Sequence, residues 1–89
     1  MNNWTIIFTD EAEDTFLKLD KNIQRMINKW MIKHLLNTND PRLFGKPLTG
    51  NLKGYWRYRV GDYRLICDIK DYVLTVYIIS IGHRKNIYK

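Results

Sequence analysis

The segment formed by residues 55–65 constrains the fold more than any other part of the chain. Its apolar and basic side chains alternate on both sides of Gly61 and Asp62, which is the period-2 pattern of two half-buried strands. A two-residue loop with glycine first is typical of a type II′ hairpin turn. This turn sets Arg59 opposite Arg64 and gives the hairpin one apolar face. The predicted apolar face carries Trp56, Tyr58, Val60, Tyr63, Leu65 and Cys67.

The other face of the predicted hairpin carries Arg57, Arg59 and Arg64 together. Residues two apart on a strand are roughly 6.5–7 Å apart, and Cβ atoms directly opposed across an antiparallel pair are only about 4.5–5.5 Å apart. Like charges in such positions destabilise the sheet. The cluster therefore favours a site for a polyanion, with phosphate as the ligand, since arginine binds phosphate bidentately. The alternative is an ordinary solvated strand face.

Length and charge define the class of partner. With 89 residues, of which 45% are hydrophobic and 13% aromatic, the chain predicts a single folded domain spanning residues 1–89. Residues 1–41 contain five Lys or Arg and six Asp or Glu, whereas residues 42–89 contain ten and three, so the second half has a net charge of +7. This distribution favours a nucleic acid or an acidic protein as the partner.

Cysteine and histidine usage exclude several classes of chemistry. Cys67 is the sole cysteine and lies on the predicted core face, which indicates a buried apolar side chain, no internal disulfide and a reducing compartment. Two isolated histidines and turn-borne aspartates form no ligand cluster, so no metal or other cofactor is predicted. The N-terminus has no secretory signal and no apolar run is long enough to span a bilayer. We therefore expect a cytoplasmic protein with no membrane partner.

Two helices are predicted before the hairpin. A strand at residues 4–8 precedes a helix that begins at Thr9 or Asp10, where Asp10 and Glu13 resemble a capping box. A turn at residues 20–22 leads into a second helix, whose apolar residues form a single stripe. That stripe consists of Ile23, Met26, Ile27, Trp30, Met31 and Leu35.

The remaining elements complete an α+β fold. Residues 37–54 are rich in Gly, Pro and Asn and predict a loop. We expect this loop both to be held on the core by Leu43, Phe44, Leu48 and Leu52 and to be functional. The last strand, residues 74–81, is apolar on both faces like a central strand and is expected to end at Gly82. The prediction is an N-terminal strand and a two-helix hairpin packed on a mainly antiparallel four-stranded sheet.

Three segments carry a resemblance to a known family. They are KPLTGNLKGYWRYR at 46–59, GDYRLI at 61–66 and IGHRKNIY at 81–88. With the order of the elements, they resemble the RelE/ParE superfamily of bacterial type II toxins over essentially the whole chain. The resemblance implies a RelE-like fold and a ribosome-dependent endoribonuclease that cuts mRNA in the A site, inhibits translation and is neutralised by a cognate antitoxin.

The resemblance also implies which residues would act. The RelE branch uses basic side chains on the sheet, an arginine near the end of the last strand and a C-terminal tyrosine. By position these are Arg57, Arg59, Arg64, Arg84 and Tyr88. RelE itself has lysines at the first two of these positions. The YoeB branch uses a Glu–His pair, for which this chain has Lys46 and His83.

Cleavage of RNA without a metal would use the 2′-OH as the nucleophile on its own phosphate. Arg64 and Arg84 suit stabilisation of the charge that develops on the phosphate, whereas arginine is a poor base. Histidine commonly exchanges protons near neutral pH, so His83 is predicted to act as an acid or a base. The alternative is that it only forms a hydrogen bond with the residues that follow it. Tyr88 is predicted to stack on a base, contact the phosphate or move a proton, unless it packs on the sheet. Lys46 and Lys53 are predicted to contact RNA backbone phosphates.

The function predicted from the sequence is that of a ribosome-dependent mRNA endonuclease. Two alternatives remain: a ParE-like toxin that inhibits DNA gyrase without cutting RNA, and an inactive module that binds RNA or antitoxin. One expected partner is an acidic antitoxin that neutralises the cluster of Arg57, Arg59 and Arg64. The other is the ribosome with mRNA in its A site. DNA is expected to be contacted only through the antitoxin complex.

Overall fold

The computed structural model describes residues 4–83. In chain order these form β1 (Thr5–Phe8), α1 (Asp10–Lys18), α2 (Lys21–Met31), β2 (Lys46–Pro47), β3 (Trp56–Val60), β4 (Tyr63–Lys70) and β5 (Thr75–His83). A π-helical turn at Ile32–Leu36 continues α2, and short 3-10 turns lie at Pro41–Leu43, Gly50–Leu52 and Asp71–Val73. Within these residues, no helix has the length and apolar character needed to cross a membrane.

The strands form one sheet in the order β1-β5-β4-β3-β2. β1 pairs with β5 in parallel, and the other pairs are antiparallel. Helix α1 packs on β5 and α2 packs on β3, which confirms the predicted α+β class. The sheet has five strands rather than the predicted four, because Lys46 and Pro47 pair with β3 and turn the middle of the predicted loop into an edge strand.

Local hydrogen bonds start both helices where the sequence predicts. The backbone N–H of Ala12 donates to Thr9 Oγ1 at 3.2 Å, so Thr9 rather than Asp10 is the N-cap of α1. Asp20 caps α2 by accepting from the backbone N–H of Asn22 at 3.1 Å. The buried amide of Gln24 donates to two carbonyls at the end of α1, which fixes the short connection between the helices.

The core lies between α2 and the apolar face of the hairpin. Ile27, Met31 and Leu35 of the predicted stripe are fully or almost fully buried, and the other three members are partly buried against them. They contact the hairpin residues Tyr58, Val60, Leu65 and Cys67. Burial raises the pKa of the Cys67 thiol well above its usual range, as expected for an inert apolar side chain.

Two polar contacts hold the segment between α2 and β3 on this core. The indole Nε1–H of Trp56 donates to the carbonyl of Phe44 at 2.6 Å. The hydroxyl of Tyr58 donates to the buried carbonyl of Pro41 at 2.7 Å. Phe44 packs on the core as predicted, but Leu43 is 70% exposed. The prediction that Leu43 anchors this segment was wrong, because the contacts with the core come from the ring of Phe44 and from the carbonyls of Phe44 and Pro41.

The end of β5 also differs from the prediction. Gly82 does not end the strand; it pairs with Arg64, and His83 beyond it pairs with Tyr63. An extra residue, Ile79, forms a β-bulge in β5. Pairing with the long β4 strand extends β5 past the glycine, since a glycine weakens a strand without preventing its ladder bonds.

Candidate functional site

The hairpin turn determines which side chains form the site. Gly61 has φ 59°, whereas Asp62 has no positive φ, which is the φ pattern of a type II′ turn. The turn pairs Val60 with Tyr63 and Arg59 with Arg64, as the sequence predicts. Direct partners in an antiparallel pair project to the same side of the sheet, so the two arginines lie together on the side opposite α2.

A third strand adds a further cation to this side. Lys46 of β2 is the direct partner of Arg57, so its side chain projects to the same face of the sheet. We call the surface formed by Lys46, Arg57, Arg59 and Arg64 the basic face. Its members come from three adjacent strands, which are about 4.7–4.9 Å apart in sheets. The basic face therefore brings together four of the predicted site residues.

The basic face is not a fully hydrated surface. Ile66, the partner of Arg57 on β4, lies on this side of the sheet and is only 4% exposed. Arg57 and Arg64 are themselves half-buried, whereas Lys46 and Arg59 are exposed. Charges beside buried apolar atoms interact more strongly with a bound anion than fully solvated charges do. This arrangement suits the binding of a phosphodiester.

A concavity of about 450 Å³ opens beside the basic face at the edge of β3. It is lined by Trp30, Leu43, Phe44, Gly45, Lys46, Arg57 and Arg59. The sequence assigned Trp30 to the core stripe and Gly45 to a loop, so it missed both as site residues. The glycine between Phe44 and Lys46 was itself a signal in the sequence. Its part in the site can be interpreted only once the pairing of β2 with β3 is known.

The other predicted site residues lie elsewhere. His83 is the partner of Tyr63, and the two rings meet edge to face at 5.5 Å. Tyr63 packs against the core, so His83 projects to the helix side of the sheet, opposite to the basic face. Lys53 follows the 3-10 turn between β2 and β3 and belongs to no strand. Arg84 and Tyr88 lie outside the described residues.

Metal ligands are not grouped in the described part of the chain. Among residues 4–83, no three His, Cys, Asp or Glu side chains are placed to hold one metal ion. The acidic side chain nearest along β4 on this side of the sheet, Asp68, forms an ion pair with Lys70 at 3.3 Å. The cationic side chains of the basic face offer binding and stabilisation of negative charge.

This fold and basic face define a class of protein. A family model described as "ParE toxin of type II toxin-antitoxin system, parDE" matches residues 6–88. The chain therefore belongs to the RelE/ParE superfamily and is the toxin of a type II toxin–antitoxin system.

Individual relatives agree with this assignment. The chain is 34% identical to toxin RelG of Mycobacterium tuberculosis over 86 residues, which cover 97% of each protein. Its structure resembles the RelBE2 toxin–antitoxin complex of the same organism with a TM-score of 0.83 and 32% identity over 97% of each chain. It also resembles the RelB-RelE complex of Methanococcus jannaschii with a TM-score of 0.69 and 26% identity over 92% and 94% of the two chains.

Proposed function

We propose that this toxin is an endoribonuclease that cuts mRNA in the ribosomal A site and binds the scissile phosphate on its basic face. The observation that carries the proposal is the direct pairing of Arg59 with Arg64, beside Arg57 and Lys46. Like charges opposed across a sheet are unfavourable for folding. Their placement on a rigid hairpin, away from the core, is best accounted for by an anionic ligand.

The chemistry uses a nucleophile that RNA itself supplies, so it requires no metal. The 2′ oxygen forms a bond to the adjacent phosphorus while the bond from phosphorus to the 5′ oxygen breaks. Negative charge grows on the phosphate oxygens during this step, and guanidinium groups already fixed in position stabilise it without reorganisation. Arg59 and Arg64 are assigned this role, and Arg57 and Lys46 orient the RNA backbone.

Two proton transfers accompany the reaction. One proton leaves the 2′ hydroxyl and another reaches the leaving 5′ oxygen. The proton-transfer role of His83 stays a prediction from the sequence alone, and the present proposal gives His83 no such role, because its register directs it to the helix side of the sheet. The corresponding roles of Arg84 and Tyr88 also stay predictions.

The proposed partners follow from charge and from the relatives. Two of the similar structures contain a toxin together with its antitoxin. The present chain has a formal net charge of +6, with the excess in its second half. An acidic antitoxin would cover the basic face and compete there with RNA. The toxin would act in the cytoplasm, where it meets translating ribosomes.

A cell-free translation extract tests the function. Wild-type toxin is added to a reporter mRNA with and without ribosomes, and the new RNA ends are mapped by primer extension. Cuts that require ribosomes, and that are lost in the double variant Arg59→Gln/Arg64→Gln, support the proposal. Arg25→Gln on α2, which removes an exposed arginine elsewhere, is the matched control. Loss of DNA supercoiling without RNA cuts would instead indicate gyrase inhibition, and neither effect would indicate a binding module.

A further inference from the structure

The concavity beside the basic face is formed by a glycine. β2 reaches β3 through two residue pairs, and Gly45 immediately before it has φ 77°, which turns the chain away from β3. A Cβ at Gly45 would collide with the carbonyl oxygen of Arg57 and lie 2.9 Å from Cδ1 of Tyr58. The chain therefore lies close to β3 at Gly45 and farther from it at Phe44 and Leu43. The space between β3 and these two residues is the concavity.

Aromatic rings form one wall of this space. Trp30 and Phe44 line it, with ring centroids 6.3 Å apart. Trp30 also lies 5.2 Å from Tyr58 and stacks on His34 at 4.6 Å, and His34 meets Phe44 edge to face at 4.8 Å. Because these rings hold one another in place, the wall is preorganised before any ligand enters.

Backbone polar groups of β3 lie on the side of the concavity opposite the aromatic wall. Val60 and Tyr63 are the pair next to the turn, and the backbone groups of successive residues in a strand point to alternate sides. The even-numbered residues of β3 therefore bond to β4, and the odd-numbered residues direct their N–H and C=O groups away from β4. The carbonyl of Tyr55 follows this pattern, because it accepts from the backbone N–H of Leu48 at 3.1 Å. Arg59 is also odd-numbered, but β2 pairs only with Trp56 and Arg57 and does not reach it. Its backbone donor and acceptor are therefore at the open edge, where the concavity lies.

We propose that this concavity binds one nucleobase of the RNA strand, adjacent to the phosphate held on the basic face. The proposal rests on the proposed function and specifies a substrate subsite for it. Trp30 and Phe44 contact the face of the base, and the backbone N–H and C=O of Arg59 pair with its hydrogen-bonding edge. Lys46 and Arg57 hold the flanking phosphates. The volume of about 450 Å³ is within the range of small-ligand sites, roughly 300–1,000 Å³.

Leu43 allows a direct test, because it lines the concavity and is 70% exposed. Leu43→Trp fills the space with little effect on the core. Leu17→Trp on α1 is the matched control, since Leu17 is 60% exposed and lies on another surface. Thermal unfolding of both variants verifies that the fold is kept. Binding is measured at low salt by fluorescence anisotropy with labelled RNA tetranucleotides, 2′-O-methylated throughout so that no 2′-OH can attack.

One base in each tetranucleotide is replaced in turn by an abasic residue. For the wild type, we expect affinity to fall roughly tenfold when one particular base is removed, the size of effect that stacking of one base produces. Leu43→Trp should bind the intact tetranucleotide less tightly and should no longer respond to removal of that base. Leu17→Trp should behave like the wild type.

Three results would overturn the base site. They are equal affinity for every abasic tetranucleotide, identical behaviour of the two tryptophan variants, and no binding of tetranucleotides by the wild type. In each case, ribosome-dependent cuts made by the wild type would still support the proposed nuclease. Conversely, a base-dependent affinity with no cuts on ribosomes would support the base site and remove the nuclease proposal.

Discussion

Arg59 and Arg64 are direct partners across the β3–β4 hairpin, one residue pair from its turn. Their register is fixed by Gly61 and by the burial of Val60 on the other face. A slip of one residue would bury the arginines, so the register keeps both on the same face of the sheet. Their side chains therefore project side by side from neighbouring strands, where like charges repel each other.

The first prediction concerns this repulsion. Arg59→Gln should leave the protein as stable as the wild type or more stable by a few tenths of a kcal/mol, because one member of a like-charged cross-strand pair is removed. The same change should slow mRNA cleavage by roughly 100-fold, the effect of losing one donor to a developing charge. Urea unfolding and the cell-free assay measure the two quantities. A variant that is both clearly destabilised and fully active would contradict this role for Arg59.

The hydroxyl of Tyr58 gives the second prediction. Tyr58 is fully buried and its hydroxyl donates to the carbonyl of Pro41. Tyr58→Phe leaves that buried carbonyl without this donor and should lower the free energy of unfolding by about 1–2 kcal/mol. Tyr72→Phe, at a position that is 84% exposed, removes the same atom and should have no measurable effect. Equal midpoints in urea for the two variants would show that the Tyr58–Pro41 bond contributes nothing.

A surface ion pair gives the third prediction. Arg42 Nη1 lies 3.0 Å from Asp71 Oδ1 and joins the segment after α2 to the β4–β5 turn. The hydrogen bond from Arg42 lowers the pKa of Asp71 below its usual value. The pair therefore stabilises the fold at neutral pH, and this contribution is lost as pH falls below about 3.9, the ordinary aspartate value, through the lowered pKa.

Thermal unfolding as a function of pH tests this ion pair. The melting temperature of Asp71→Asn should lie slightly below that of the wild type at pH 7, because both partners are exposed, and should converge with it at acid pH. The double variant Arg42→Gln/Asp71→Asn leaves neither charge without its partner. It should therefore be at least as stable as the less stable of its two single variants. A difference that persists unchanged at about pH 2 would exclude the carboxylate as its cause.

The backbone of Leu74 gives the fourth prediction. Leu74 follows the 3-10 turn at Asp71–Val73 with φ 47° and ψ 49°, the left-handed conformation, and its side chain is 40% exposed. This conformation costs an ordinary residue roughly 1–2 kcal/mol, whereas asparagine tolerates it. Leu74→Asn should therefore be neutral or stabilising, and Leu74→Val should be destabilising by about 1 kcal/mol or more because its β-branch crowds the backbone. The opposite order of melting temperatures would show that side-chain packing outweighs backbone strain here.

The fifth prediction concerns His83. Its ring contacts Tyr63 on the helix side of the sheet, away from Arg64. We expect His83→Gln to cut mRNA within about twofold of the wild-type rate and with the same pH profile, as a side chain that transfers no proton should. Loss of one limb of the pH–rate profile in this variant would instead assign His83 a proton-transfer step.

Local chemistry explains which parts of the fold could be predicted from the sequence. The hairpin register follows from Gly61 and the alternation beside it, and the buried stripe of α2 follows from helical spacing. β2 could not be predicted, because Lys46 and Pro47 show no strand pattern and pair only once β3 is in place. The face on which His83 lies depends on how β5 aligns with β4, and that alignment includes a bulge with no local signal.

The parallel pairing of β1 with β5 has a consequence for synthesis of the toxin. Thr5 pairs with Thr75, and the side chain of Thr9 donates to the carbonyl of Ile79, 70 residues further along the chain. β1 therefore has no strand to pair with until nearly all the described residues have left the ribosome that makes them. Such distant pairings form late and slowly. A nascent chain therefore cannot assemble the complete sheet until β5 has been synthesised and has left the ribosome.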